Sequence, residues 1–113
     1  MLLRNLISSQ ITTTGSSKFN VDIYGNRIVW NDRVACGPFY CDDIFIYDLS
    51  TGKQTKIPQN STNPYPSQSY PAIYGDKIVY VDSFRLSGYQ RPIARIAMYD
   101  LATGKETIVA PYD

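Results

Sequence analysis

The chain repeats itself. Ile23-Tyr-Gly-Asn-Arg-Ile-Val-Trp-Asn-Asp32 aligns with Ile73-Tyr-Gly-Asp-Lys-Ile-Val-Tyr-Val-Asp82 at an offset of 50, with six of ten positions identical. Ile44-Phe-Ile-Tyr-Asp-Leu-Ser-Thr-Gly-Lys-Gln-Thr-Lys-Ile57 aligns with Ile96-Ala-Met-Tyr-Asp-Leu-Ala-Thr-Gly-Lys-Glu-Thr-Ile-Val109 at an offset of 52, with eight of fourteen identical. Two blocks in the same order mean that one supersecondary unit occurs twice, and this unit decides the fold. The second copy carries two extra residues between its blocks.

Each copy reads as four strands. The first covers 21–24 in one copy and 71–74 in the other. Gly25-Asn26 and Gly75-Asp76 then make two-residue hairpin turns, glycine in the first central position suiting type II′. Second strands follow at 27–31 and 77–81, then a loop of about ten residues, then third strands at 43–48 and 95–100. Thr51-Gly52 and Thr103-Gly104 turn the chain again, with glycine at a positive-φ position. Asp48 and Asp100 suit Asx turns there. Fourth strands run 53–57 and 105–109. No segment keeps apolar residues at helical spacing for more than one turn, so no helix is expected.

The third strand carries Ile44 and Ile46 on one face and Phe45 and Tyr47 on the other. Both faces are apolar, so both are expected to be covered. A four-stranded antiparallel unit covered on both faces and repeating at about 50 residues describes a β-propeller blade. A two-sheet sandwich is the alternative, but its sheets would alternate more cleanly. The expected class is therefore all-β, with two blades of an incomplete propeller. Ile73–Tyr80 and Ile46–Thr55 resemble the TolB-like β-propeller repeat, of the type found in archaeal cell-surface proteins. The resemblance spans 21–109. It implies a scaffold or binding module, not a catalytic domain, with a glycan-binding propeller and an accessory domain of a hydrolase as the alternatives, and says nothing of a ligand. The chain departs from the pattern in having two blades and in its Cys36 and Cys41.

The expected organisation is 1–17 as the end of a preceding blade or an exchanged strand, 18–66 as the first blade and 67–113 as the second. Propellers close with about four to eight blades. Two alone leave apolar faces bare, so the chain is read either as a fragment of a longer propeller or as a self-associating unit. A head-to-tail ring of three chains would give six blades, and one of four would give eight. Residues around 6–12 could complete a blade in a neighbour.

Eleven basic and ten acidic residues leave a net charge of +1. This argues against nucleic-acid binding by bulk charge. No apolar run approaches a membrane span, so no membrane insertion is expected. The chain contains no histidine. That excludes Ser-His-Asp and Cys-His triads and histidine-containing metal sites built from this sequence. No catalytic residue, metal site or cofactor is expected. Asp42, Asp43 and Asp48 do not make a calcium loop, because the Asp-x-Asp-x-Asp-Gly pattern is missing.

The short glycine turns share one end of the units. The long segments 33–42, 58–70 and 83–94 share the other, and loops on a rigid scaffold are where binding resides. Arg33, Phe39, Tyr40, Tyr65, Tyr70, Phe84, Arg85 and Tyr89 are the candidate ligand-binding residues, for a protein or a glycan; Arg91 lies at the same end. Tyrosine and arginine are common interface anchors. The alternative is that the rings only pack the loops together. Asp32 and Asp82 close the second strands in both copies. They are read as acceptors for loop N–H groups, or as part of a ring at a channel mouth. Cys36 and Cys41 are either a disulfide that staples one loop or two free thiols. An oxidised pair would support an extracellular or cell-surface location. Asn60-Ser61-Thr62 is a candidate glycosylation sequon. The N-terminus does not read as a signal peptide.

Overall fold

A computed structural model describes residues 10–11, 16–59, 61–86 and 91–112. Tyr89, the sequon residue Asn60 and most of 1–17 lie outside the described residues. The chain is all-β, with no helix among the described residues. Eight strands form in order: β1 Ser17–Tyr24, β2 Arg27–Cys36, β3 Phe39–Asp48, β4 Lys53–Lys56, β5 Ser67–Tyr74, β6 Lys77–Phe84, β7 Ile93–Asp100 and β8 Lys105–Ala110. They build two four-stranded antiparallel meanders, β1-β2-β3-β4 and β5-β6-β7-β8.

The turns follow the local chemistry. Gly25 and Gly75 take φ of 58° and 60°, while Asn26 and Asp76 stay outside the left-handed region, as type II′ requires. At the far end of each meander, Gly52 N–H donates to Asp48 O and Gly104 N–H to Asp100 O. The Asp48 carboxylate accepts from Ser50 N–H at 2.8 Å, and that of Asp100 from Ala102 N–H at 2.9 Å. These are the expected Asx turns. The Ser50 hydroxyl holds Asp48 below the ordinary carboxylate range, and the Ala102 N–H does the same for Asp100.

The strands run further than the sequence suggests, and the segment 33–42 is corrected from a loop to a hairpin. Arg33 pairs with Asp42, Val34 with Cys41, Ala35 with Tyr40 and Cys36 with Phe39, around a two-residue Gly37-Pro38 turn. Gly37 has φ of 64°. β-branched and aromatic residues favour the extension, and the Cys36–Cys41 disulfide, Cα atoms 5.5 Å apart, crosses it. The first strands also begin earlier, at Ser17 and Ser67. A bulge interrupts each, between Phe19 and Asp22 and between Ser69 and Ala72. At these bulges Asn20 and Tyr70 take φ of 57° and 55°.

The two sheets meet through one face each. Strand β5 packs against β1, β2 and β3. Val29, Ile44 and Ile46 on the first sheet meet Ile73, Ile78, Tyr80 and Ala97 on the second, and Ile57 from the linker joins them. Val29, Ile44, Ile78 and Ala97 are fully buried. Polar groups cross the same junction. The Asp22 carboxylate accepts from its neighbour Ile23 N–H at 2.9 Å and from Ile73 N–H of the other sheet at 3.0 Å. Ser67 Oγ accepts from Asp42 N–H at 2.8 Å. Arg27 pairs with Asp76 at the short-turn end. These bonds fix the register of one sheet on the other, which burial alone does not do.

Truncating Ile44 to alanine removes atoms from the centre of this junction and should lower stability by about 2–5 kcal/mol. Asp22→Ala takes the acceptor from the Ile73 N–H inside the junction and should cost about 1–3 kcal/mol. Urea denaturation of both variants checks the two values. The pH dependence has a fixed sign. Asp48 and Asp100 have depressed folded pKa values, so their contribution is complete above the unfolded value of about 3.9. It is lost as pH falls through the lower folded values. Melting temperature should fall in that acid range. The fall should be smaller for Asp48→Asn/Asp100→Asn, which keeps an oxygen acceptor that does not titrate.

Candidate functional site

Six of the eight sequence-predicted residues line one cleft. Arg33 on β2, Phe39 and Tyr40 on β3, Tyr65 in the linker, Tyr70 on β5 and Arg85 beyond β6 enclose about 350 Å³, together with Pro38, Asp42, Ser67, Ser69, Ser83 and Pro92. The β2–β3 hairpin forms one wall, and the linker with β5 forms the other. Arg85 N–H donates to Pro64 O at 3.0 Å, which ties the end of β6 to the linker.

Ring contacts order the walls. The Phe39 and Tyr65 rings meet edge-on at 5.0 Å. The Arg85 guanidinium lies over the Phe39 ring at 4.7 Å, and that of Arg33 lies over Phe19 at 4.5 Å and Tyr40 at 5.0 Å. Such stacking fixes the plane of each guanidinium. Tyr65 and Tyr70 both sit in the left-handed region, at φ of 49° and 55°. This conformation is unusual for a bulky residue and clusters at functional sites. Gly37 lets the hairpin turn approach Tyr65, because a Cβ there would stand 3.3 Å from the Tyr65 ring.

One charge network supports the cleft from below. Asp42 is 2% exposed. Its carboxylate accepts from Arg33 Nε at 3.0 Å, Arg33 Nη2 at 3.1 Å and Asn31 Nδ2 at 3.0 Å. This forked pairing is the geometry in which arginine exceeds lysine. The hydrogen bond to Asp42 pushes the Arg33 pKa up, so Arg33 stays a cation. Asn31 Oδ1 in turn accepts from Tyr70 N–H at 3.4 Å. The network therefore links the hairpin to the bulge that presents Tyr70.

Phe84 is corrected out of the cleft. Neighbouring side chains on a strand point to opposite sides. Ser83 lines the cleft, and the Phe84 ring instead meets Tyr112 edge-on at 5.2 Å. Asp82 and Asp32 also differ from expectation, because both face cations instead of loop N–H groups. Arg95 Nε donates to Asp82 at 2.8 Å, and Lys18 Nζ stands 3.8 Å from Asp32. Arg95 further approaches Glu106 at 3.7 Å and lies over the Tyr112 ring at 4.7 Å. Burial raises the Asp82 pKa even with Arg95 beside it. Burial and the Glu106 acceptor likewise push the Tyr80 phenol far above its ordinary value.

No family model matches the chain. It is similar to dipeptidyl-peptidase 5 of Porphyromonas gingivalis, with 31% identity over 104 residues. The similarity covers 87% of this chain and 15% of the peptidase, so the chain spans about a seventh of that relative.

Sequence reasoning missed Pro38, Asp42, Ser67, Ser69, Ser83 and Pro92 as cleft residues. Asp42 had a signal: a hairpin centred on Gly37-Pro38 puts it opposite Arg33. The serines carry no signal beyond their proximity to strand ends.

Arg33→Ala leaves the buried Asp42 carboxylate with Asn31 alone and should cost about 1–3 kcal/mol. Cys36→Ser/Cys41→Ser opens a ring whose closure is worth about 2 kcal/mol on the chain-entropy model, an upper bound because the hairpin turn already restrains the tip. The double variant should melt within a few degrees of the wild type. Its Phe39 and Tyr40 amides should exchange with deuterium faster, while those of β6 and β7 do not change.

Proposed function

We propose that the chain is a non-catalytic pair of TolB-like β-propeller blades from a secreted or cell-surface protein, acting as a protein-recognition scaffold through the Arg33–Arg85 cleft. The observation that carries this reading is the convergence of six aromatic and cationic side chains into one cleft between two sheets. Rings and guanidinium groups held in fixed planes supply contact area at low entropic cost. The serine hydroxyls offer hydrogen bonds that orient a peptide. The blade assignment draws support from the repeat and from the face-on packing of β5 against the first sheet. Apolar side chains on the outer faces, among them Ile23 and Val79, point to completion by further blades. The disulfide supports the extracellular assignment.

The similarity to a dipeptidyl-peptidase favours a second reading, in which such a module accompanies a peptidase as an accessory domain. Under either reading the role proposed for this chain is recognition, and its sequence supplies no histidine base for a Ser-His-Asp or Cys-His triad. A glycan is the other ligand class suited to stacked rings.

Screening the purified chain against an immobilised peptide library and a glycan array tests the proposal. Peptide binding that weakens about tenfold or more in Tyr40→Ala/Arg85→Ala, a loss of about 1.4 kcal/mol, is the expected result. Glycan binding with the same sensitivity moves the ligand class to the alternative. Binding that ignores both substitutions, or no binding at all, overturns the recognition role of the cleft.

A further inference from the structure

The two copies of the repeat are in contact, so the chain contains one worked example of how the unit docks on itself. The face of the first sheet carrying Asp22, Val29 and Ile44 covers the face of the second carrying Ile73, Ile78 and Tyr80. By the repeat offsets, the first set corresponds to Ala72, Val79 and Ile96 on the outer face of the second sheet. The second set corresponds to Ile23, Ile28 and Trp30 on the outer face of the first. The molecule therefore carries both halves of the junction that it makes internally on its two outer faces, each in part exposed. Val29 is 0% exposed and its counterpart Val79 37%; Ile73 is 6% exposed and its counterpart Ile23 57%. Val79 and Ile23 are thus open where the junction buries their counterparts, whereas Trp30, at 4% exposed, is as covered as its counterpart Tyr80 at 1%. An apolar groove of about 300 Å³ runs over the first sheet's outer face between Phe19, Val21, Ile28 and Trp30, with Ile11 of the chain's own N-terminal segment at its border.

We infer that the occupant of each free face is a second copy of this chain, docked head-to-tail so that the Val79 face of one copy covers the Ile23 face of the next. The inference deepens the blade reading and is independent of the cleft. The polar pattern separates a second copy from an arbitrary apolar partner. In the internal junction, Ile73 N–H needs an acceptor from the covering sheet and finds it in Asp22. On the free face, Ile23 N–H is already held by Asp22 from its own strand. The covering face correspondingly has Ala72, which offers no acceptor, where the internal junction has Asp22. A requirement met within one copy is dropped from the other. Where a bond is still needed it is kept: Ser67 accepts from Asp42 N–H inside the chain, and the equivalent pair across copies is Ser17 with Ala94 N–H. The Arg27–Asp76 pair becomes Lys77 against Asn26, a cation facing an amide oxygen. A head-to-tail contact is heterologous, so it closes into a ring or propagates.

Light scattering after size exclusion, over a dilution series of the full chain, reads the assembly directly. A mass of three or four chains that falls on dilution is expected. Ile23→Asp and Val79→Asp change side chains that are exposed within one copy, and each should run as a monomer with an unchanged circular dichroism spectrum. An equimolar mixture of the two should give a dimer and stop there, because one intact Val79 face meets one intact Ile23 face. Ile23→Gln and Val79→Gln serve in the same mixture if either aspartate variant fails to fold. A wild-type monomer at every concentration overturns the inference. So does a single variant that assembles as the wild type does, or a mixture that stays monomeric. A monomer that still binds through the cleft removes the junction and leaves the proposed function standing.

Discussion

Strand β5 lies against three strands of the first sheet, and everything else in the molecule is arranged around that contact. Val29, Ile44 and Ile46 lose water on one side of it, and Ile73, Ile78, Tyr80 and Ala97 on the other. Such burial is strong but indifferent to sliding. Direction comes from the bulge in β1. It sets Asp22 where one carboxylate can hold an amide of its own strand and an amide of the opposite sheet. The β5 bulge answers it by turning Tyr70 N–H toward Asn31. Asn31 in turn binds the carboxylate that grips Arg33. The register of the sheets and the shape of the cleft are thus set by two groups of bonds, one at each bulge.

The fold was largely legible because the repeat states its own boundaries. Glycine turns, strand order and the Asx turns at Asp48 and Asp100 depend on residues within a few positions of one another, and short-range chemistry can be read from a string. The hairpin extension was not read, because Arg33 and Asp42 look like loop residues until they are set opposite each other. The bulges were also invisible. Asn20 carries a mild signal for the left-handed region, whereas Tyr70 carries none. Its N–H donates to a partner 39 positions away.

The candidate site followed the same division. The segments that would meet at one end of the sheets could be named from topology, and six of their residues do meet. Which face of a strand each residue takes needs the strand's length. Phe84 was misplaced for that reason, since extending β6 past Asp82 sends Ser83 and Phe84 to opposite sides. Asp82 and Asp32 hold matching places in the repeat, yet their cations come from different strands, Arg95 on β7 and Lys18 on β1. A repeated acid therefore does not imply a repeated partner.

The outer strands show what the molecule avoids. β4 has four residues, all exposed, and two are lysines; β8 opens with Lys105 and Glu106 and pairs irregularly with β7. β1 and β5 are both kinked by bulges. Short, charged or kinked strands make poor templates for adding another strand. Lateral growth of either sheet into a ribbon, the usual hazard of a small β-protein with greasy surfaces, is therefore blocked along every margin. Contact with other molecules is left to the broad sides of the sheets and to the cleft between them.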